Sequence, residues 1–476
     1  MDRWLRCRAP SARAVCPSRP DERDNVIPPG YVERRVPFEF DPLTAVTALA
    51  AGSGEAHVVY EGAGTACLAE GELATVRVHA DGATLSTGGR RREFPAPGTP
   101  LDGAGAALRD VPVPHWRAYG WACFELSHAL NGAPGPARDS TLAHLAVPER
   151  EIRIGAGSAL LRATSGAELD VLQQRLADAV PGESESGSRQ RLDVDVAGYG
   201  GAEYRAAVDT AVADIRAGGL DKVILSRTVP VSAEIDLPAT YLEGRRGNDP
   251  ARSFLLRLGG WEATGFSPEI VVHIGPDGQV TTQPLAGTRA LDGNAVFDIA
   301  RREELYRDAK EVFEHAISVR LAATELATVC EPGSVRVADF MSVKERGSVQ
   351  HLASEVSGRL AGACSPWDAL AALFPAVTAS GIPKASACEV IRRTEPERGL
   401  YSGAVLTADA DGTLDAALVL RSVYRRGGRT WLRAGAGIVA QSAPDRELEE
   451  TEEKLRSVSR FLVRAPAYRG AAVVAS

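Results

Sequence analysis

The chain has 476 residues, and its 54 lysines and arginines against 62 aspartates and glutamates give a formal net charge of −8. This acidic balance excludes a general nucleic-acid binder, which needs a basic surface, and the absence of any run of 18 apolar residues excludes a membrane span. Seven scattered cysteines without a C-x-x-C pair are typical of a cytoplasmic protein rather than of a disulfide-stabilised secreted one.

The first part of the chain predicts a tail followed by a β-rich region. Residues 1–27 are rich in Arg, Pro and Ser, lack hydrophobic periodicity and contain no apolar signal segment, so we expect a disordered tail. From 28 to 195, short β-type runs alternate with Gly and Pro clusters, which indicates a β-rich scaffold. The clearest runs are 75–79, 116–124 and 151–161, and the polar stretch 180–196 predicts a linker or a long surface loop.

The remainder of the chain mixes helices with strands. Residues 204–215 have helical spacing and end at Gly218-Gly219, and an apolar strand follows at 222–227. Further strands are predicted at 253–258, 270–274, 416–424 and 430–434, and further helices at 302–327, 368–373, 386–393 and 445–462. Because these elements do not alternate as βαβ units, we expect an α+β fold with mostly antiparallel sheets and a short C-terminal tail at 466–476.

Two pairs of glutamates lie at i, i+3 on predicted helices: Glu311 with Glu314, and Glu447 with Glu450. The second pair and Lys454 share a helical face with apolar residues, whereas the first pair flanks the apolar stripe of its helix. Buried carboxylates of like charge need a compensating cation, and oxygen ligands favour Mg²⁺. An ordinary acidic helix surface is the alternative for each pair. Zinc is disfavoured because the histidines and cysteines do not cluster.

Lysine is scarce, because the chain has 49 arginines and only five lysines, at positions 222, 310, 344, 384 and 454. Arginine never deprotonates in proteins, whereas a lysine can act as a base. Lys222 begins an apolar predicted strand, and burial there would favour its neutral amine. It is therefore a candidate general base. The alternative is a lysine at the end of a strand that extends into water.

A glycine-rich segment at 435–440 has the sequence GAGIVA. A dinucleotide-binding loop is disfavoured, because the same Gly-Ala-Gly triplet recurs elsewhere and no helix follows directly. We expect a glycine-rich turn whose backbone N–H groups face a carboxylate.

Seven motifs occur in one order along the chain: GFSPE at 265–269, QPLAGTR at 283–289, EVFEH at 311–315, FPAVTASGIPK at 374–384, LYSG at 400–403, RAGAGIV at 433–439 and ELEETEEK at 447–454. This series resembles the chorismate-utilising enzymes, which comprise anthranilate, aminodeoxychorismate, isochorismate and salicylate synthases. The resemblance is dense from about 200 to 465. It implies a single large domain like that of anthranilate synthase component I, with a scaffold part at 28–195 and a chorismate-binding catalytic part at 196–465.

Within that family, the FPAVTASGIPK motif and GSVQH at 347–351 resemble the salicylate synthases of siderophore pathways. This resemblance implies conversion of chorismate through isochorismate to salicylate and pyruvate, and an isochorismate synthase is the alternative. The ammonia-using members are disfavoured, because Lys222 matches the lysine of the water-using enzymes and Ala286 replaces the lysine of aminodeoxychorismate synthases. A Mg²⁺-dependent diphosphate enzyme would carry Asp-rich motifs, and a binding module would not need the acids and the lysine.

The resemblance also implies roles for single residues. Lys222 would be the general base for a water that attacks C2, and Glu269 would be the general acid for the departing C4 hydroxyl. The third candidate catalytic residue, His351, would line the pocket where pyruvate is lost. Mg²⁺ would be held by Glu314, Glu447 and Glu450, with Glu311 close by. The implied substrate-binding residues are Gly287, Thr288, Thr378, Tyr401, Arg421, Gly435, Gly437 and Lys454.

The expected partner is the small molecule chorismate, without nucleic acid or membrane, and we expect a monomer or a weak dimer in the cytoplasm.

Overall fold

The computed structural model describes residues 30–133, 140–179, 190–291, 293–347 and 349–466. The tail predicted at 1–27, most of the linker predicted at 180–196 and nearly all of the tail predicted at 466–476 lie outside these residues. The described part is one domain of helices and antiparallel sheets, which confirms the α+β class. None of the described helices is long and apolar enough to cross a membrane.

The strands before residue 200 are β1 (Val32–Pro37), β2 (His57–Gly62), β3 (Thr65–Glu70), β4 (Ala74–His79), β5 (Gly82–Thr87), β6 (Arg90–Pro95), β7 (Arg117–Ala122), β8 (Ala143–Val147), β9 (Arg150–Gly155) and β10 (Ser158–Ala163). The strands after it are β11 (Lys222–Pro230), β12 (Arg252–Leu258), β13 (Trp261–Ser267), β14 (Ile270–Ile274), β15 (Gln279–Thr282), β16 (Leu285–Ala290), β17 (Arg336–Arg346), β18 (Val349–Arg359), β19 (Gly381–Ile382), β20 (Ala404–Asp409), β21 (Leu414–Leu418), β22 (Ser422–Arg426) and β23 (Arg429–Ile438).

The helices are α1 (Pro42–Ala51), α2 (Pro100–Arg109), α3 (Leu126–Leu130), α4 (Gly166–Asp178), α5 (Gly201–Arg216), α6 (Leu237–Arg246), α7 (Ala295–Arg307), α8 (Ala309–Leu326), α9 (Pro366–Leu373), α10 (Lys384–Thr394) and α11 (Pro444–Ser459). A short 3₁₀ turn spans Val377–Ala379.

The strands form two large sheets. Sheet A has the order β1-β10-β9-β3-β2-β12-β13-β22-β23-β11-β19, and sheet B has the order β16-β18-β15-β14-β21-β20-β7-β8-β4-β5-β6, with β17 paired to β18. Each sheet combines strands from before and after residue 195. The scaffold part and the catalytic part predicted from the sequence therefore share both sheets.

The main apolar core lies between the sheets. Trp121 of β7 belongs to the same buried cluster as Phe254 and Trp261 of sheet A, and its indole N–H donates to the Leu258 carbonyl at 3.1 Å. Burying one large side chain of this kind stabilises the fold by about 1.5–3 kcal/mol. The core thus fixes the relative position of the two sheets and of the strand ends that carry the site.

Two predicted strands are in fact pairs of strands. The run 151–161 forms the hairpin of β9 and β10, whose turn contains Gly157 at φ +72°. The run 416–424 forms β21 in sheet B and β22 in sheet A. Between them Arg421 adopts φ +50°, a left-handed conformation that breaks an extended chain. Apolar periodicity continues across both breaks, so it does not reveal them.

The helix predicted at 302–327 is likewise two helices, α7 and α8. They are separated at Asp308, whose carboxylate accepts hydrogen bonds from the backbone N–H groups of Lys310 at 3.0 Å and Glu311 at 3.4 Å. Asp308 is therefore the N-cap of α8. This break places the first glutamate pair in the first two turns of a new helix rather than in the middle of a long one.

Candidate active site

A cavity lies between the two sheets, with β11 and β23 on one side and β16 and β18 on the other. Helix α8 packs on sheet B and α11 packs on sheet A, so each brings one glutamate pair toward the cavity. The predicted site residues that line the cavity are Glu269, Gly287, Thr288, Glu314, His351, Thr378, Tyr401, Arg421, Gly435, Gly437, Glu450 and Lys454. Lys222, Glu311 and Glu447 are not among the lining residues. Lys222 contacts the lining residue Glu314, and a Cβ atom at the lining residue Gly287 would lie 3.0 Å from an oxygen of Glu311.

Lys222 is fully buried at the start of β11. Its ammonium lies 2.9 Å from Glu314 Oε1 and donates a hydrogen bond to Ser318 Oγ at 3.1 Å. The alternative of a strand-end lysine that extends into water is therefore wrong. Ser318 was missed by the sequence analysis, although it follows Glu314 by four residues and so occupies the same face of α8.

Glu269 lies at the end of the GFSPE motif, and only 3 % of it is exposed. The Thr378 hydroxyl donates to its Oε1, and the Leu285 backbone N–H donates to its Oε2 at 3.4 Å. Burial raises the pKa of Glu269 to about 8, although these hydrogen bonds and nearby lysines oppose the shift. Its carboxyl group is therefore mostly protonated at neutral pH, as a proton donor must be.

The four glutamates of the two pairs are buried, with 1 to 6 % of each residue exposed. An ordinary acidic helix surface is therefore wrong for both pairs. Each carboxylate faces a different cationic side chain: Glu311 and Arg289 at 3.2 Å, Glu314 and Lys222 at 2.9 Å, Glu447 and Lys310 at 3.0 Å, and Glu450 and Lys454 at 2.7 Å. We call these four glutamates the carboxylate cluster.

The carboxylates of the cluster differ in the direction in which their pKa values are shifted. Burial raises the pKa of Glu311 to about 7, and burial together with Glu450 raises the pKa of Glu447. Burial also disfavours the charge of Glu450, but Lys454 and Lys310 outweigh that effect and lower its pKa to about 2. Two of the four carboxylates therefore lack full compensation of their negative charge.

The donor chemistry of the cluster fits a hard divalent cation. Glu311 Oε2 and Glu447 Oε2 are buried and accept no hydrogen bond from any described residue, and an unsatisfied carboxylate oxygen is a suitable ligand for Mg²⁺. The described residues nevertheless contain no group of three acidic, histidine or cysteine side chains already placed to hold a metal ion. The carboxylates are instead directed at their four cationic partners.

The glycine-rich turn expected at 435–440 is wrong. Gly435 and Gly437 lie within β23 and pair with Ser226 and Ile224 of β11. A Cβ atom at Gly437 would lie 2.2 Å from an oxygen of Glu314, and one at Gly435 would lie 2.4 Å from a backbone carbonyl oxygen of β11. Glycine inside a strand commonly marks such a close approach. These two positions therefore bring β23 against its neighbours and leave its backbone facing the cavity.

Arg421 and His351 form a contact on the opposite wall. The guanidinium of Arg421 donates to His351 Nε2, and the His351 Nδ1 atom lies 3.0 Å from the Gly287 carbonyl oxygen. These partners place the ring proton on Nδ1. Burial and the charge of Arg421 hold the pKa of His351 well below its usual range, so the ring is neutral. Its contacts suit the positioning of Arg421 better than proton transfer.

Arg421 is a buried cation, and burial and the neighbouring Arg346 lower its pKa to about 9. It forms no ion pair with any described carboxylate, and its guanidinium also donates a hydrogen bond to the Arg346 carbonyl at 3.2 Å. A buried guanidinium without a counter-ion is costly. This wall of the cavity is therefore suited to an anionic ligand.

Tyr401 is held by a network that the sequence analysis did not identify. The guanidinium groups of Arg398 and Arg433 lie 5.5 and 5.3 Å from the centre of its ring. Both arginines form ion pairs with the buried carboxylate of Glu395, at 2.9 and 2.8 Å. The backbone N–H of Ser226 also donates to Glu395. The network joins β11, β23 and the loop that carries Tyr401, so it fixes Tyr401 relative to the two strands on one side of the cavity.

Comparison with known proteins gives a consistent result. A family model described as chorismate binding enzyme matches residues 68–460. A salicylate synthase from Mycolicibacterium paratuberculosis is 44 % identical over 438 residues, which cover 90 % of this chain and 95 % of that protein. An anthranilate synthase component 1 from Spirochaeta aurantia is 40 % identical over 260 residues, which cover 54 % of each chain.

Solved structures show the same fold. The anthranilate synthase component I from Streptococcus pneumoniae superposes with a TM-score of 0.68 at 26 % identity, and the match covers 84 % of this chain and 92 % of that one. A putative 2,3-dihydroxybenzoate-specific isochorismate synthase from Bacillus anthracis gives a TM-score of 0.67 at 24 % identity, covering 88 % and 99 %.

Proposed function

Because the chain belongs to the family of chorismate-binding enzymes, we propose that it is a salicylate synthase, which converts chorismate through isochorismate to salicylate and pyruvate. The observation that carries this proposal is the 44 % identity to a salicylate synthase over 90 % of the chain. The anthranilate synthase relative matches only 54 % of the chain. The geometry of the cavity supports the proposal residue by residue.

Chorismate carries two carboxylates, and the cavity offers separate positions for them. Arg421, the buried cation without an ion pair, would hold the enolpyruvyl carboxylate with two parallel N–H donors. Tyr401 and the backbone of Gly435 and Gly437 would complete that position. Thr288 and Gly287 would contact the substrate from the opposite sheet. Arg421 is oriented by His351, so the carboxylate would meet a guanidinium that is already in place.

The ring carboxylate would lie toward the carboxylate cluster. Glu314, Glu447 and Glu450 would hold Mg²⁺, with Glu311 close by, and Lys454 would balance their negative charge. The bound ion would supply the positive charge that the ring carboxylate needs in a cavity lined by acids.

The first reaction step needs a base and an acid on opposite sides of the ring. Lys222 would take a proton from the water that adds at C2, and Glu269 would give its proton to the C4 hydroxyl, which departs as water while the ring double bonds shift. Glu269 has the proton to give, since its pKa is about 8. The ammonium of Lys222 contacts Glu314 and Ser318, so its own proton must leave before it can act as the base.

In the second step the bond between ring C3 and the enolpyruvyl oxygen would break while the hydrogen on C2 moves to the enolpyruvyl methylene carbon, so that pyruvate leaves and the ring becomes aromatic. His351 is neutral and already engaged with Arg421 and Gly287, so it would fix the orientation of the enolpyruvyl group rather than move a proton. Thr378, which donates to Glu269, also lines the cavity. The main contribution of the protein to this step would then be to hold the enolpyruvyl group in one conformation.

The proposal is tested by incubating the purified chain with chorismate and Mg²⁺ and following salicylate by its fluorescence. Salicylate should form, cease to form with EDTA and return when Mg²⁺ is added in excess. Accumulation of isochorismate without salicylate would identify an isochorismate synthase instead. No turnover of chorismate at all would contradict both assignments.

A further inference from the structure

Lys310 occupies an unusual position in the carboxylate cluster. Its ammonium lies 3.0 Å from Glu447 Oε1 and 3.7 Å from Glu311 Oε1. It therefore bridges α11 and α8, whereas the other three cations of the cluster each contact one of the four glutamates. Within the cluster, Glu311 and Glu447 are also the two carboxylates whose second oxygen is buried and has no hydrogen-bond partner among the described residues. Lys310 thus contacts, through their Oε1 atoms, the two carboxylates of the cluster that each retain an unsatisfied oxygen.

The remaining contacts distinguish Lys310 from its neighbours. Lys454 also donates to the Gly435 carbonyl at 2.9 Å, and Lys222 also donates to Ser318. The ammonium of Lys310 contacts only carboxylates of the cluster within the described part of the chain. Its side chain is 14 % exposed, and it lies in the first turn of α8, two residues after the N-cap Asp308. No hydrogen bond to a backbone group of the described residues holds its ammonium in place.

On the basis of the proposed function, we propose that Lys310 is a tethered counter-ion that occupies the carboxylate cluster in the metal-free protein and is displaced when a divalent cation binds. The reason is electrostatic, because a dication held by Glu447 with Glu311 close by would strongly repel an ammonium at contact distance from both of these carboxylates. Lys310 would hold α8 and α11 together in the metal-free state and would weaken Mg²⁺ binding. It is a positioning residue rather than a catalytic one.

The test measures Mg²⁺ binding in the absence of chorismate. Lys310→Met keeps an apolar stem of similar length and removes the charge, and Lys310→Arg keeps the charge. Lys344→Met is the matched control, since Lys344 is half exposed on β17 and pairs with Asp339 at 3.7 Å, outside the cluster. Isothermal titration calorimetry of the EDTA-treated full chain should show Mg²⁺ binding by K310M that is on the order of tenfold to a hundredfold tighter than that of the wild type. K310R and K344M should bind like the wild type.

Thermal unfolding gives a second readout that does not depend on turnover. Without its counter-ion, the EDTA-treated K310M protein should unfold at a lower temperature than the wild type, and Mg²⁺ should raise its midpoint by more than it raises that of the wild type. If K310M does not fold without metal, recovery of its fold by Mg²⁺ while the wild type needs none supports the same conclusion.

Mg²⁺ binding by K310M that is unchanged, weaker or absent overturns the inference, as does equal tightening in K344M. The result is separable from the proposed function. Salicylate formation by the wild type together with unchanged Mg²⁺ affinity in K310M would reject only the role of Lys310. Tighter binding in K310M without turnover of chorismate by the wild type would reject only the proposed activity.

Discussion

The buried carboxyl group of Glu269 should make the stability of the protein depend on pH. Its pKa is raised from 4.5 to about 8 by burial, so the folded protein keeps a proton that the unfolded chain loses between these values. The stabilisation is therefore fully present below the lower pKa and is lost as the pH rises through the folded-state pKa. A pKa difference of one unit corresponds to about 1.4 kcal/mol, so the free energy of unfolding should fall by about 5 kcal/mol in total.

Glu269→Gln isolates this effect, because the amide has nearly the same shape and carries no charge at any of these pH values. Denaturant unfolding followed at several pH values should show the wild type losing roughly 1.4 kcal/mol per pH unit relative to E269Q between about pH 5 and 8. Glu449→Gln, which removes an exposed carboxylate from the outer face of α11, controls for the loss of one negative charge. A difference between wild type and E269Q that does not change with pH would refute the reasoning.

The same carboxyl group should set the alkaline limit of activity. A general acid must be protonated to act, and the pKa values of the free enzyme govern kcat/KM, so kcat/KM should fall as the pH rises above about 8. The glutamine side chain does not supply this proton, and kcat of E269Q should fall by roughly 10²–10⁴-fold. A variant with wild-type kcat and an unchanged alkaline limit would remove Glu269 from the mechanism.

Three further changes test the cavity. Lys222→Arg or Lys222→Ala should abolish isochorismate formation while the circular dichroism spectrum stays unchanged, and wild-type turnover would reject Lys222 as the base. Thr378→Val removes a hydrogen bond that favours ionised Glu269, so the pKa rises further and the alkaline limit of the pH–rate profile should move to higher pH; a move to lower pH would contradict this sign. Gly437→Ala places a Cβ atom 2.2 Å from a Glu314 oxygen, which should cost about 1–3 kcal/mol of unfolding free energy, measured with denaturant; unchanged stability would show that Glu314 moves aside freely.

The class of the fold could be predicted from the sequence, because irregular alternation of helices and strands is itself a pattern. Element breaks could not be predicted where a single residue makes them. Asp308 divides one apolar helical run into α7 and α8, and Arg421 transfers the chain from sheet B to sheet A. In both places the apolar periodicity continues in the neighbouring element. Periodicity therefore predicts that an element is present but does not show where it ends.

The motifs predict residues that in the structure largely line one cavity, but they do not predict how the charges of those residues pair. Lys222, Glu314 and Ser318 come from β11 and α8, and nothing in their sequence positions relates the strand to the helix. Only the place of Ser318 could have been predicted, because its spacing of four residues from Glu314 puts both on one face of a helix. The Glu395 network was missed for the same reason, since its carboxylate joins arginines on a loop and on β23.

Formal charges connect the metal site with the substrate. Glu314 and Glu450 would keep Lys222 and Lys454 as partners, and Arg421 would remain as the cation on the opposite wall. A dication would then balance the two negative charges of chorismate, which an enclosed cavity would otherwise leave uncompensated. The same balance requires that chorismate and Mg²⁺ strengthen each other's binding, because either one alone leaves two charges uncompensated.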